Sequence, residues 1–187
     1  MPNLRDIKRR IRSVKNTQQI TKAMKLVSAS KLRKAQEAMM RARPYALKTK
    51  DVMNSLAVRC DKDQHPLLNN RDVKKVLIFF ITSDKGLCGG FNSYLNRKAN
   101  ELIKENQSSE IVFLFAGKKG SAFFQDKGFS VLDDYSGWTR NYQFNVTAEI
   151  SEKLSQTFLN EDADKVYIVY NEFKSVIQQE VVVEQLL

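Results

Sequence analysis

The residues best suited to chemistry in this chain form a glycine-rich loop at positions 82–90. Its sequence, TSDKGLCGG, follows an apolar run and precedes a segment with helical periodicity. A glycine-rich turn between a strand and a helix often binds phosphate, because backbone N–H groups and the helix dipole face the anion. The spacing here is G-x-x-G-G, which matches neither the dinucleotide fingerprint nor the P-loop. We therefore interpret Gly86, Gly89 and Gly90 as turn glycines, and a small nucleotide-binding enzyme stays an alternative.

Other catalytic constellations are missing from the sequence. His65 is the only histidine, which excludes a multi-histidine metal site and disfavours a histidine-based triad. Cys60 and Cys88 have neither metal-binding nor redox spacing, and we interpret Cys88 as a half-buried structural thiol. The adjacent Asp133 and Asp134 are interpreted as a turn. We expect no catalytic residue, no metal and no cofactor.

The positive charge of the chain is concentrated at its beginning. Residues 1–50 hold 15 Lys and Arg against two acidic residues, a net of +13, whereas the other 137 residues hold 16 basic and 19 acidic residues, a net of −3. Such a segment predicts a large acidic partner. No apolar run approaches the ~20 residues that span a bilayer, so we expect membrane association only through partners.

The same segment repeats apolar residues every three or four positions, which predicts an amphipathic helix of the coiled-coil type. The polar residues 16–19 interrupt the apolar stripe, and its phase slips there. We expect a helix from about residue 4 to 43, ended or kinked by Pro44, and then helix again to about residue 58. The predicted seam consists of Leu4, Ile7, Ile11, Val14, Ile20 and Val27.

A basic helix that reads DNA is the main alternative for this segment. No leucine zipper follows it, and apolar residues interleave where a groove-reading face should be polar. The apolar seam therefore favours a protein partner over nucleic acid.

The rest of the chain alternates β-rich apolar runs with amphipathic segments, which predicts an α/β fold. We expect a Rossmann-like, mostly parallel five-stranded sheet with flanking helices and a last strand that is antiparallel. The predicted domains are a long basic amphipathic helix over 1–58, a linker over 59–72 and an α/β domain over 73–187. The predicted strands are 73–81, 111–116, 129–133, 165–173 and 176–185, and the predicted helices are 91–106, 119–127 and 145–160.

Two segments together resemble the gamma subunit of the bacterial rotary, proton-translocating ATP synthase. They are SVKNTQQITKAMKLVSASKLRKAQ at 13–36 and ITSDKGLCGGFN at 81–92. The similarity continues in ARPYA at 42–46 and through the last 22 residues, so it covers essentially the whole chain. It implies that the N-terminal helix is half of an antiparallel coiled coil inside the alpha/beta hexamer. It also implies that the Rossmann-like domain contacts the epsilon subunit and the c-ring.

The resemblance implies a non-catalytic central-stalk rotor that couples proton flow to conformational cycling of the catalytic hexamer. Such a subunit is peripheral, at the cytoplasmic face of the bacterial cell membrane, and binds no nucleic acid. Lys22, Met24 and Lys25 match the family segment that faces an acidic loop of the beta subunit. Lys85 takes the basic position of a segment that resembles a second contact to beta.

The family also has a C-terminal helix, which the resemblance places beyond Leu187. We therefore expect these 187 residues to be a truncated form of the subunit. Without that partner, we expect the isolated N-terminal helix to fray or to pair with the same helix of another copy.

Overall fold

The protein is described here by a computed structural model, which covers residues 3–59, 65–138 and 144–187. The chain divides into two units, Met1–Asp61 and Lys62–Leu187. Residues 60–64 of the predicted linker, which include Cys60, lie outside the described residues.

The first unit is built on one α-helix, α1 (Leu4–Arg59), whose 56 residues correspond to roughly 84 Å of helix. Residues 1–50 contain no glycine and are rich in Ala, Lys, Arg, Leu and Gln, all strong helix formers. The helix continues through Pro44, so the predicted end at Arg43 is wrong. Pro44 removes one N–H donor from the hydrogen-bond ladder of the helix. The helical turns before and after it keep their own backbone hydrogen bonds.

The second unit contains a five-stranded sheet with the order β3-β2-β1-β4-β5. The first four strands in sequence run parallel, and β5 pairs antiparallel with β4 at one edge. This topology confirms the predicted fold class. The elements are β1 (Lys75–Ile81), α2 (Phe91–Glu105), β2 (Glu110–Ala116), α3 (Lys118–Gln125), β3 (Ser130–Asp134), α4 (Phe144–Leu159), β4 (Lys165–Phe173) and β5 (Gln179–Gln185).

The central strand β1 is buried on both faces, as its unbroken apolar sequence predicts. Alternate side chains of a strand point to opposite faces of the sheet. Val76, Ile78 and Phe80 accordingly pack in one cluster with residues of α2 and α3. Leu77 and Phe79 pack in a second cluster with residues of α4. Two helices therefore cover one face of the sheet and one helix covers the other.

Asp133 and Asp134 lie in strand β3, so their interpretation as a turn is wrong. A strand places neighbouring side chains on opposite faces, and each carboxylate finds a partner on its own face. Asp133 forms an ion pair with Lys153 of α4. Asp134 accepts a hydrogen bond of 2.5 Å from the hydroxyl of Ser121 in α3. These partners, distant in sequence, stabilise an otherwise polar strand end.

No helix within the described ranges is both long and apolar enough to cross a lipid bilayer.

Candidate functional site

The apolar seam of α1 is exposed along its whole length. All six predicted seam residues, from Leu4 to Val27, are exposed in the structure. Because each residue advances a helix by about 100°, the six-residue step from Val14 to Ile20 turns the stripe by about 120°. The seam therefore consists of two stripes on different sides of α1, separated by the polar residues 16–19. A partner that follows both stripes must wind around this helix.

Lys22 and Lys25 lie on one side of α1, about 60° apart, because three residues make almost one turn. Met24 lies at least about 100° from either lysine and belongs with Ile20 and Val27 on the second apolar stripe. The helix thus brings the two predicted cationic contacts together and places the predicted methionine contact on a different face. All three side chains are exposed.

The cations of α1 greatly outnumber the carboxylates that could neutralise them. Asp6 and Glu37 are the two acidic residues among the first fifty, and each forms an ion pair with an arginine of the same helix, Arg9 and Arg33. The remaining positive charge stands along an exposed helix. Positive charge of this kind attracts acidic surfaces.

The loop between β1 and α2 is held to the neighbouring loops by a hydrogen-bond network. The carboxyl ends of adjacent parallel strands meet at one edge of a sheet, so the loops after β1, β2 and β3 converge there. One carboxylate oxygen of Asp84 accepts hydrogen bonds from the backbone N–H groups of Lys118 (3.2 Å) and Gly137 (2.9 Å). The hydroxyl of Thr82 donates to the Gly117 carbonyl (3.0 Å) and accepts from the Gly120 N–H (2.8 Å). The base of the loop is therefore fixed to two neighbouring segments, the one after β2 and the one after β3.

The loop is also braced internally. The Ser83 hydroxyl donates to the Lys85 carbonyl at 2.6 Å, and the Asn92 amide donates to the Ser83 hydroxyl at 2.8 Å. The Phe91 N–H donates to the Cys88 carbonyl at 3.3 Å. The polar residues of the motif thus support the loop conformation.

The three predicted turn glycines have different roles. Gly89 adopts a φ of +58°, which glycine tolerates without strain. A Cβ on Gly90 would lie 2.6 Å from the ring of Tyr94, so its lack of a side chain allows close packing at the start of α2. A Cβ on Gly86 would be 3.9 Å from Lys119, an ordinary contact. Steric contacts therefore do not require a glycine at position 86.

Two further glycines, Gly117 and Gly120, position the loop, and the sequence reasoning missed them. Gly117 has a φ of +122°, and a Cβ there would lie 2.2 Å from the carbonyl oxygen of Thr82. A Cβ on Gly120 would lie 2.7 Å from the ring of Phe80. The signal was present in the sequence, because AGKKG at 116–120 follows β2 just as the TSD segment follows β1.

The tip of the loop, residues 85–89, is exposed. Cys88 belongs to it, so the interpretation of this residue as a half-buried thiol is wrong. Its sulfur accepts a hydrogen bond from the Asn92 amide at 3.2 Å, which orients the thiol without burying it. Lys85 is exposed at the same tip, on a loop whose base is fixed.

A groove of about 640 Å³ lies beside this tip, between α2 and the end of the sheet. Its walls carry Arg97 and Lys98 but also the carboxylates of Glu101 and Glu180. Mixed charges of this kind do not favour the phosphates of a nucleotide. Across the described ranges, no three or more His, Cys, Asp and Glu side chains group to hold a metal ion.

The chain resembles known proteins over nearly its full length. The ATP synthase family model matches residues 3–187. The ATP synthase gamma chain of Chlorobaculum parvum is 46% identical over 193 residues, an alignment that covers 100% of this chain and 66% of the relative. The ATP synthase gamma chain of Pelotomaculum thermopropionicum is 44% identical over 187 residues, with the same two coverages.

Among solved structures, a chain of the Tetrahymena thermophila mitochondrial ATP synthase central stalk and c-ring has a TM-score of 0.69 and 28% identity. The match covers 90% of this chain and 72% of that one. A chain of the Euglena gracilis mitochondrial ATP synthase shares the fold, with a TM-score of 0.61 at 18% identity, over 95% of this chain and 55% of that one. The chain therefore belongs to the ATP synthase gamma chain family. It spans about two thirds of the length of the curated relatives that it matches.

Proposed function

We propose that this protein is a central-stalk rotor component of a proton-translocating ATP synthase. It couples proton flow to the conformational cycling of an alpha/beta catalytic hexamer by rotation, and it is not catalytic by itself. Its partners are the alpha and beta subunits, the epsilon subunit and the c-ring. It reaches the cytoplasmic face of the bacterial cell membrane as a peripheral subunit, through those partners.

The observation that carries this proposal is the 56-residue helix α1, with its winding apolar stripe and its nearly single-signed charge. Family membership supplies the context in which such a helix works as a shaft. An asymmetric charged shaft can present different faces to successive beta subunits as it turns. Exposed ion pairs contribute only ~0–1 kcal/mol each, so weak and repeated attraction guides rotation without locking it.

Within this proposal, residues 1–58 form half of a coiled coil inside the alpha/beta hexamer. Residues 73–187 form the α/β domain that contacts epsilon and the c-ring. Lys22 and Lys25 face an acidic loop of beta from one side of α1, while Met24 approaches it from the adjacent apolar stripe. Lys85 makes a second contact to beta from the tip of the β1–α2 loop.

The proposal is tested by size-exclusion chromatography of the chain with separately purified alpha and beta subunits, at low and moderate salt. We expect the chain to elute with the alpha/beta assembly, and the complex to weaken as salt screens the charges of α1. Elution of the chain by itself at low salt, where attraction is strongest, would contradict the proposal. A salt-dependent shift of duplex DNA under the same conditions would favour the nucleic-acid alternative.

A further inference from the structure

Leu87, at the tip of the β1–α2 loop, stands out in both its exposure and its backbone. Its side chain is 99% exposed, and its φ is +63°. A branched aliphatic residue in the left-handed region is destabilised by crowding at Cβ. Because the side chain is fully exposed, burial of apolar area does not offset this cost. In the described ranges the one other non-glycine residue with positive φ is Glu161, just past the end of α4, where helices often terminate in this conformation.

The surrounding loop holds Leu87 in this conformation. The carbonyl of Lys85, two residues before Leu87, accepts the Ser83 hydroxyl, and the carbonyl of Cys88, the next residue, accepts the Phe91 N–H. Asp84 fixes the base of the loop to two neighbouring loops. A strained residue that its surroundings hold in place is a mark of a functional position.

The charge around Leu87 is positive. Lys85 lies two residues away, and Lys119 lies beside the loop, with its Cε 3.9 Å from the position of a Cβ on Gly86. Lys118 is exposed next to it. None of the three lysines forms an ion pair within the parts of the chain that the structure describes. The Asp84 carboxylate adds one negative charge at the base of the loop, so the three lysines and Asp84 together carry a net charge of +2.

We propose that Leu87 is the apolar anchor by which this loop binds an acidic protein surface, inserting into an apolar recess that carboxylates surround. The inference rests on the proposed function, since the partner is the beta subunit within the alpha/beta hexamer. It extends that function by assigning the affinity of the loop contact to Leu87, with the lysines setting its orientation and salt dependence. In protein interfaces a few side chains that fill desolvated pockets, surrounded by contacts that exclude water, carry most of the binding energy.

The test compares Leu87→Asn with Ile177→Asn in the 187-residue chain, by measuring affinity for the purified alpha/beta hexamer. Asparagine has nearly the size of leucine and tolerates the left-handed region, so Leu87→Asn removes the apolar contact while keeping the loop. Ile177 is the matched control, because it is equally exposed at 99% but has no positive φ.

We expect Leu87→Asn to weaken binding by about 10- to 100-fold at every salt concentration, because burial of an aliphatic side chain is not screened. The melting temperature should not fall. Ile177→Asn should change the affinity by less than about 3-fold, and Lys119→Ala should weaken binding at low salt only. Wild-type affinity for Leu87→Asn, or equal losses in both asparagine variants, would overturn the anchor and leave the proposed function standing. Failure of the wild-type chain to bind would overturn both.

Discussion

Gly117 is the residue on which the loop network depends most directly. Its φ of +122° and its contact with Thr82 leave no room for a side chain. We expect Gly117→Ala to lower the free energy of unfolding by more than about 2 kcal/mol, because strain and a steric clash act together.

Gly128→Ala is the matched control for that change. Gly128 also has a positive φ, +77°, but no atom lies within 4 Å of the position of its missing Cβ. This variant should cost only about 1 kcal/mol, from backbone strain alone. Urea unfolding followed by circular dichroism measures both, and equal losses would contradict a steric role for Gly117.

At the residue scale, the sequence predicted which loop matters but not how it is held. The glycine pattern at 82–90 identified a strand-to-helix turn, and Gly89 and Gly90 have the conformational and packing roles expected of such a turn. The roles of Asp84 and Gly117 depend on contacts more than 30 residues apart in sequence, such as that between Asp84 and Lys118. No local pattern reports such contacts.

At the scale of elements, the ion pair between Asp133 of β3 and Lys153 of α4 makes stability depend on pH. The hydrogen bond from the Lys153 ammonium lowers the pKa of the Asp133 carboxyl, against the opposing effect of partial burial. Since the folded pKa lies below the unfolded value of about 3.9, the stabilisation is present above about pH 4 and is lost as the pH falls below it.

We expect Asp133→Asn to reduce the free energy of unfolding by roughly 0.2–1 kcal/mol at pH 7, because the pair is partly exposed. The variant should lose less stability than the wild type between about pH 5 and pH 3. Thermal unfolding across this range measures the difference, and Asp133→Asn combined with Lys153→Met shows whether the lysine is the cause. An acid response identical to that of the wild type would contradict the assignment.

Helix α1 allows a second prediction at this scale. Its exposed apolar stripe contributes little stability in the isolated chain, since long helices depend on packing of an apolar face. We expect the amides of α1 to exchange with solvent much faster than those of β1 and β2 in a dilute monomer. The alpha/beta hexamer should then slow their exchange. Strong protection of α1 in the dilute monomer would show that the helix needs no partner.

The spacing of apolar residues predicted most helices and strands, because those residues are the ones that each helix or strand buries in the core. The strand predicted at 165–173 coincides with β4, and the helix predicted at 145–160 differs from α4 by one residue at each end. Pro44 and the Asp133–Asp134 pair misled because local propensity was weighed alone. Hydrogen bonds in the turns around Pro44, the ion pair of Asp133 with Lys153 and the hydrogen bond of Asp134 with Ser121 outweighed that propensity.

At the scale of the whole molecule, charge separation along the sequence predicts which part of the chain binds a partner. A segment of net +13 followed by one of −3 already indicated an acidic partner for one part of the chain. The winding of the seam around α1 became visible only in the structure, because it depends on one uninterrupted helix through residues 16–19. An asymmetric shaft of this kind should occupy a single central position in a ring of subunits.

The most direct test of the central claim is the stoichiometry of the complex by native mass spectrometry. The chain is mixed in excess with purified alpha and beta subunits at low salt, and intact assemblies are weighed. A rotor at the centre of the ring predicts one 187-residue chain for three alpha and three beta subunits, however large the excess. Several chains on each hexamer, or hexamers that carry none, would contradict the account.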